Sequence, residues 1–267
     1  MIDLRRAEGA PLLRIGHRGA AALAPENTIA SLELAVELGC DLVEFDVLEL
    51  DGRLVLAHSA GEMPAETASL DEALAFLARS GAGAHVDLKA PGTEAAIAEA
   101  LRRHGLVERA VVSTFRPESL RALHAAEPDI RLGLTYPGDP HGLSRRRAVA
   151  PFVGLGLATM RIALAARIAR MLADAHATAA VLHWRVVSRA VVERCHALDV
   201  PVLAWTVETR DQVRRMDELG VDGVIADDNA MVASVLQEEP YRDLYRLATP
   251  DDPIDTVHGF PYGPSDL

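Results

Sequence analysis

Cys40-Asp41-Leu42-Val43-Glu44-Phe45-Asp46-Val47 alternates apolar and acidic residues with a period of two, the pattern of a β-strand. On a strand, residues two apart share a face, about 6.5 Å apart along it. Leu42, Glu44 and Asp46 therefore point one way, and Val43, Phe45 and Val47 the other. Two neighbouring carboxylates on the inner face of a buried strand lose hydration and repel each other. A hard divalent cation relieves both problems, because carboxylate oxygens are the ligands that Mg²⁺ and Ca²⁺ take. Solvated carboxylates on an edge strand would read the same way, so the neighbouring segments decide.

Upstream, the apolar run 12–15 reads as a first strand, with Gly16-His17-Arg18-Gly19 at its C-terminal end. Pro25-Glu26-Asn27-Thr28 then opens a helix through about Leu38, which Gly39 ends. Downstream, Asp51-Gly52 makes a tight turn and 54–57 returns to His58. From there the pattern alternates. Strands are expected at 84–88, 110–113, 131–135, 179–182, 202–206 and 224–226. Helices are expected at 69–79, 93–104 (with Thr93 as cap), 117–126, 148–175, 188–198, 211–219 and 230–236. Eight βα units with short connections close as a (β/α)₈ TIM barrel, an α/β fold in a single domain over residues 1–239. A doubly wound open sheet is disfavoured, since no Gly-rich dinucleotide fingerprint follows the first strand. Residues 240–267, with five prolines and no periodicity, read as an irregular C-terminal tail.

The length of 267 residues suits one such barrel, and 49% hydrophobic residues are ample for a core. Aromatics make up only 4%, so Ala, Leu and Val must fill it. A formal charge of -12 argues against a nucleic-acid surface. Arg145-Arg146-Arg147, the only basic run, is too short to outweigh that balance and reads as a solvated helix start. Cys40 and Cys195 lie in apolar segments without partners at metal-ligand spacing, and read as buried free thiols of a reducing compartment. The N-terminus lacks the apolar run of a signal peptide, and the long apolar region 148–173 is broken by Arg161, Arg167 and Arg170. A cytoplasmic protein with no stable membrane anchor is expected; oligomeric state is not legible.

In a barrel of this kind the site forms where strands end at their C-terminal face. His17 and Arg18 fall there after the first strand, Glu44 and Asp46 on the second, His58 at the end of the hairpin, and Asp87 and Lys89 on the strand 84–88. Asp87 and Lys89 are again two apart, on one face. Each has a bland reading of its own, as a loop histidine, a surface arginine or a plain ion pair. Converging on one rim, they suit displacement at phosphorus. A cation and two basic side chains hold phosphate oxygens while two histidines move protons.

His17-Arg18-Gly19, Pro25-Glu26-Asn27-Thr28, Ser31, Gly39, Glu44-x-Asp46, Asp51-Gly52 and His58 resemble the glycerophosphodiester phosphodiesterase family. Asp87-Leu88-Lys89, Ser113-Thr114-Phe115, Trp205-Thr206-Val207 and the stretch Gly220 to Ile225 continue the likeness, in the family's order, from about Leu12 to Leu236. The resemblance implies a TIM barrel that hydrolyses glycerophosphodiesters to an alcohol and glycerol 3-phosphate with Mg²⁺ or Ca²⁺. It implies Glu44, Asp46 and Asp87 as metal ligands and His17 and His58 as the acid–base pair. Arg18 and Lys89 become phosphate-binding groups, and Trp205 lines the glycerol or alcohol pocket. His17 is expected to take the nucleophile's proton, and His58 to donate one to the leaving alcohol.

Three features depart from the family pattern. The third ligand is usually Glu and here is Asp87, one methylene shorter. Ser59 stands where Asp usually follows the second histidine. About ten residues separate His58 from the helix at Ser69, where many members carry a long helical insertion, so an open site is expected. The alternatives are a phospholipase D-like lyase acting on lysophospholipids, and a catalytically inactive barrel that binds phosphate compounds.

Overall fold

The computed structural model describes residues 2–7, 9–59, 61, 67–138 and 150–236, with the backbone alone at 150–155. Nine strands form one sheet: β1 (Leu13–Gly16), β2 (Leu42–Leu50), β3 (Arg53–Leu56), β4 (Gly83–Leu88), β5 (Ala110–Thr114), β6 (Arg131–Tyr136), β7 (Ala179–His183), β8 (Val202–Trp205) and β9 (Gly223–Ala226). Eight of them run parallel. Because β1 pairs with both β9 and β2, that ring is closed, and β3 folds back antiparallel on β2. The α-helices of the described residues are α1 (Ile29–Glu37), α2 (Leu70–Ser80), α3 (Glu94–Arg103), α4 (Pro117–Ala126), α5 (Ala150–Ala175), α6 (Arg189–His196), α7 (Arg210–Leu219) and, after the last strand, α8 (Asn229–Val235). This is the expected (β/α)₈ TIM barrel.

Two expectations shift. Helix α1 starts at Ile29, with the Thr28 side chain capping Ser31 N, so Pro25 to Asn27 belong to a loop. Asn27 has φ +57° there, outside the right-handed helical region. Thr93 occupies the N-cap position of α3 but its hydroxyl makes no cap bond and is buried with no hydrogen-bond partner among the described residues. The Glu94 carboxylate instead accepts from Gly92 N at 2.8 Å. The expected tail 240–267, Arg145 to Arg147 and most of the short link after His58 lie outside the described residues.

The alternation in β2 sorts its side chains into two cores. Val43, Phe45 and Val47 pack outward beneath the helices, with Leu32, Ala35 and Leu74 among their neighbours in that shell. Leu42 points inward, into a smaller cluster with Ile15, Val111, Ala179, Val181, Leu203 and Ile225. Leu4 joins this inner cluster fully buried, so the N-terminal segment plugs the bottom of the ring. Asp222, itself buried, holds that plug by accepting from Arg6 N at 3.0 Å and Arg5 Nη1 at 3.3 Å. With the lower half of the barrel apolar, the inward polar side chains collect toward the strand C-termini. Among the described residues no helix is long and apolar enough to cross a membrane. Cys40 and Cys195 are both free and buried, as expected.

Candidate active site

The loop after β1 has to bring an arginine and a histidine against the β2 carboxylates, and its sequence explains how it does so. Gly19 has φ +90°, and a Cβ there would meet Ser31 Oγ at 2.3 Å; only glycine lets the loop pack onto α1. Ser31 Oγ accepts from Ala20 N and donates to Arg18 O, both at 2.9 Å. Arg18 is thereby held at φ +50°, and its backbone N–H donates to Glu44 Oε2 at 2.8 Å. Asn27 grips Asp46 twice: Nδ2 donates to Asp46 Oδ2 at 2.9 Å, and Oδ1 accepts from Asp46 N at 3.0 Å.

Glu44, Asp46 and Asp87 each offer an oxygen, and the three oxygens lie within 4.8 Å of one another. Glu44 and Asp46 are buried, and Asp87 is partly exposed. Lys89 Nζ sits 2.6 Å from Asp46 Oδ1 and 2.5 Å from Asp87 Oδ2. Arg18 Nε lies 3.1 Å from Asp46 Oδ2, and its Nη1 pairs with Glu26 at 2.8 Å. Burial opposes the charge on Asp46, but Lys89, His58 and Arg18 outweigh it and hold this carboxyl well below the usual range. Burial, reinforced by the charge on Asp46, pushes Glu44 up to about 7. Three oxygen donors this close, one of them reluctant to ionise, fit a hard divalent cation. Lys89 already brings one positive charge into the cluster.

His17 Nδ1 pairs with Asp227 Oδ1 at 2.6 Å across the β1–β9 seam. Burial disfavours the charged ring, yet the Asp227 carboxylate raises it to about 9. His58 Nδ1 lies 3.2 Å from Arg18 Nη2 and 3.4 Å from Asp46 Oδ2. Nδ1 of His58 thus stands between a donor, the Arg18 guanidinium, and an acceptor, the Asp46 carboxylate. Seven of the eight expected side chains therefore meet at one end of the barrel. Trp205, the eighth, stands on β8 facing the ring interior, where its indole N–H donates to Val181 O at 3.2 Å. It packs edge-on against His183, the last residue of β7, with centroids 5.1 Å apart.

Four groups at the mouth escaped the sequence reading as functional side chains: Asn27, Asp227, His85 and Ser113. Asp227 follows the last strand directly, so the rule that chemistry sits at strand C-termini could have found it. His85 shares its face with Asp87 and Lys89. Burial pushes the His85 ring down to about 4, so it is neutral at ordinary pH.

A closed parallel barrel whose mouth gathers carboxylates, histidines and cationic side chains defines a (β/α)₈ enzyme. A family model described as "Glycerophosphoryl diester phosphodiesterase family" matches residues 17–75 and 82–231. The chain belongs to this family. A glycerophosphodiester phosphodiesterase of Caldanaerobacter subterraneus subsp. tengcongensis is 27% identical over 270 residues, covering 85% of this chain and 98% of the relative. A dermonecrotic toxin of Loxosceles amazonica matches a shorter stretch, 45% identical over 51 residues and 19% of each chain. Among solved structures, an Oleispira antarctica phosphodiesterase in complex with the product sn-glycerol-3-phosphate superposes with a TM-score of 0.66 at 22% identity, over 85% of this chain and 97% of the other. A Silicibacter pomeroyi glycerophosphoryl diester phosphodiesterase, described as putative, does so with 0.68 at 20% identity, over 88% and 96%. At these identities the two structures bear on the fold.

Proposed function

We propose that this chain hydrolyses glycerophosphodiesters to glycerol 3-phosphate and an alcohol, with a divalent cation held by Glu44, Asp46 and Asp87. The observation that carries the reading is the meeting of three carboxylate oxygens within 4.8 Å beside two histidines, an arginine and a lysine. When bound, the cation would supply Lewis-acid stabilisation of charge on the phosphoryl oxygens. Arg18 and Lys89 bind and orient the non-bridging oxygens. His17, with Asp227 on Nδ1, uses Nε2 to take the proton of the attacking hydroxyl, and Asp227 stabilises the imidazolium that results. His58, as the imidazolium, donates a proton to the departing alkoxide and is left neutral. Trp205 gives the alcohol an apolar wall with its ring, since its N–H is already engaged. The product bound in the Oleispira relative supports a glycerophosphodiester as substrate. A cytoplasmic location accompanies this reading, supported by the two free buried thiols. The barrel is proposed as the single functional unit, through residue 239.

The test is incubation with glycerophosphocholine, glycerophosphoethanolamine and lysophosphatidylcholine, each with Mg²⁺, Ca²⁺ or chelator, with products identified by mass. Metal-dependent glycerol 3-phosphate from the first two is expected. A cyclic phosphate from the lysolipid would replace the hydrolase reading by the lyase one. No turnover of any diester would leave a phosphate-binding barrel.

Asp87 gives a separate prediction. Asp87→Glu restores the family's usual ligand length and is expected to keep activity within about tenfold of wild type. Asp87→Ala removes a cation ligand and leaves Lys89 paired with Asp46 alone; a loss of at least about 10²-fold is expected, on the scale of several kcal/mol for metal-assisted charge stabilisation. Equal loss in both variants with unchanged cation affinity would make Asp87 an ion-pair partner of Lys89 instead.

A further inference from the structure

We propose that Ser113 and His85 are positioning residues for Asp87, forming a buried hydrogen-bonded chain that fixes one carboxylate oxygen and leaves the other for the cation. The inference rests on reading Glu44, Asp46 and Asp87 as the cation site. Ser113 lies beside Asp87 in the β4–β5 register. Its Oγ donates to Asp87 Oδ1 at 2.8 Å, and His85 Nε2 lies 2.9 Å from the same Oγ. His85 and Ser113 are each 1% exposed, so water does not stand in for either contact.

The direction of the chain follows from valence. An ionised carboxylate only accepts, so the single hydroxyl proton of Ser113 goes to Asp87. Ser113 Oγ then has only lone pairs left for His85, so His85 must carry its proton on Nε2. Its Nδ1 is the acceptor nitrogen, buried with no hydrogen-bond partner among the described residues. Gly133 on β6, paired in register with Ser113, keeps this corner clear: a Cβ there would come within 3.0 Å of Ser113 Cβ. Asp87 Oδ1 is thus held from the β5 side, and Oδ2, 2.5 Å from Lys89 Nζ, is the oxygen turned toward the positive charge. A shorter acid reaches the cation from fewer rotamers than glutamate does, so holding one oxygen from below compensates for the missing methylene.

The test is calorimetric titration of Mn²⁺ into wild type, Ser113→Ala, Asp87→Ala and the double variant, with ¹⁵N NMR of the His85 ring in wild type. Loss of a group that orients a metal ligand typically costs roughly 10- to 100-fold in metal affinity; Ser113→Ala is expected to fall in that range. In the Asp87→Ala background, Ser113→Ala should weaken binding no further, because the oxygen it positions is gone. The ring should show the Nε2–H tautomer. If Ser113→Ala leaves affinity unchanged, weakens it equally in both backgrounds, or His85 carries its proton on Nδ1, the positioning role is overturned while the cation site stands. If wild type binds no Mn²⁺, or Asp87→Ala binds it unchanged, the reading of the three carboxylates fails and this inference with it.

Discussion

Asp46→Asn is expected to lower kcat/KM on glycerophosphocholine by about 10³-fold at saturating Mg²⁺, a loss of about 4 kcal/mol of transition-state stabilisation. Its carboxylate is the hub of the mouth. Lys89 at 2.6 Å, Arg18 at 3.1 Å, Asn27 at 2.9 Å and His58 at 3.4 Å all converge on it. An amide there cannot ligate the cation with a full charge or balance Arg18 and Lys89. The alternating β2 pattern implies that neutralising either acid relieves repulsion in the metal-free protein, and the structure separates the two. Asp46 is held ionised by its cations, so its depressed value contributes stability above the ordinary carboxylate range, lost as pH falls through the folded value. Glu44 is the opposite case: its value of about 7 means that stability declines as pH rises from the ordinary range toward 7. In chelator at pH 8, Glu44→Gln is therefore expected to melt above wild type and Asp46→Asn below it. Differential scanning calorimetry decides; full activity of both variants in chelator would remove the metal from the reaction.

The two histidines should separate by leaving group. His17→Ala is expected to lose about 10² to 10⁴ in kcat/KM on both glycerophosphocholine and a p-nitrophenyl diester, because both need the nucleophile's proton removed. His58→Ala should lose on that order with the basic choline alkoxide and far less with p-nitrophenolate, which leaves without a proton. The reverse pattern would exchange the roles, and no leaving-group dependence in either variant would end the acid–base scheme. Asp227→Asn gives an independent reading. In metal-free enzyme His17 is expected to titrate near 9 by NMR. With the counter-charge gone and burial unchanged, the same ring should fall below the ordinary 6.5. The base form of His17 grows as pH rises through its value, so kcat/KM should climb along its acid limb. A cation bound nearby adds positive charge and moves that limb to lower pH. The His17 pairing also contributes stability at low pH that is lost as pH rises through 9.

What the sequence made legible was whatever depended on short periods. The two-residue alternation of β2 and β4 placed Glu44, Asp46, Asp87 and Lys89 on the inner face, and the strand–helix alternation placed that face in a barrel. His17 and His58 followed from their positions at strand ends. Contacts set by the path of a loop were not legible. Asn27 reaches Asp46 only because Arg18 and Asn27 both adopt positive φ and Gly19 admits Ser31; nothing in a linear pattern encodes that turn. Thr93 takes the N-cap position of α3 as its residue type implies, but its φ and ψ of -113° and 7° depart from the extended cap geometry and its hydroxyl makes no cap bond. His85 has the same parity as Asp87, but a histidine inside a strand carries no sign in the sequence of what it will touch.

His17 and Asp227 lie 210 residues apart in the chain, yet touch across the strands that close the ring. A ribosome releases Glu44, Asp46 and Asp87 within the first third of synthesis and Asp227 close to the end of the barrel. These three acids thus exist long before His17 acquires its partner, which arrives only with the strand that completes the circle. On the proposed acid–base reading, an unclosed chain would hold charge at its mouth without the pair that moves a proton there, so catalytic competence and ring closure would be one event.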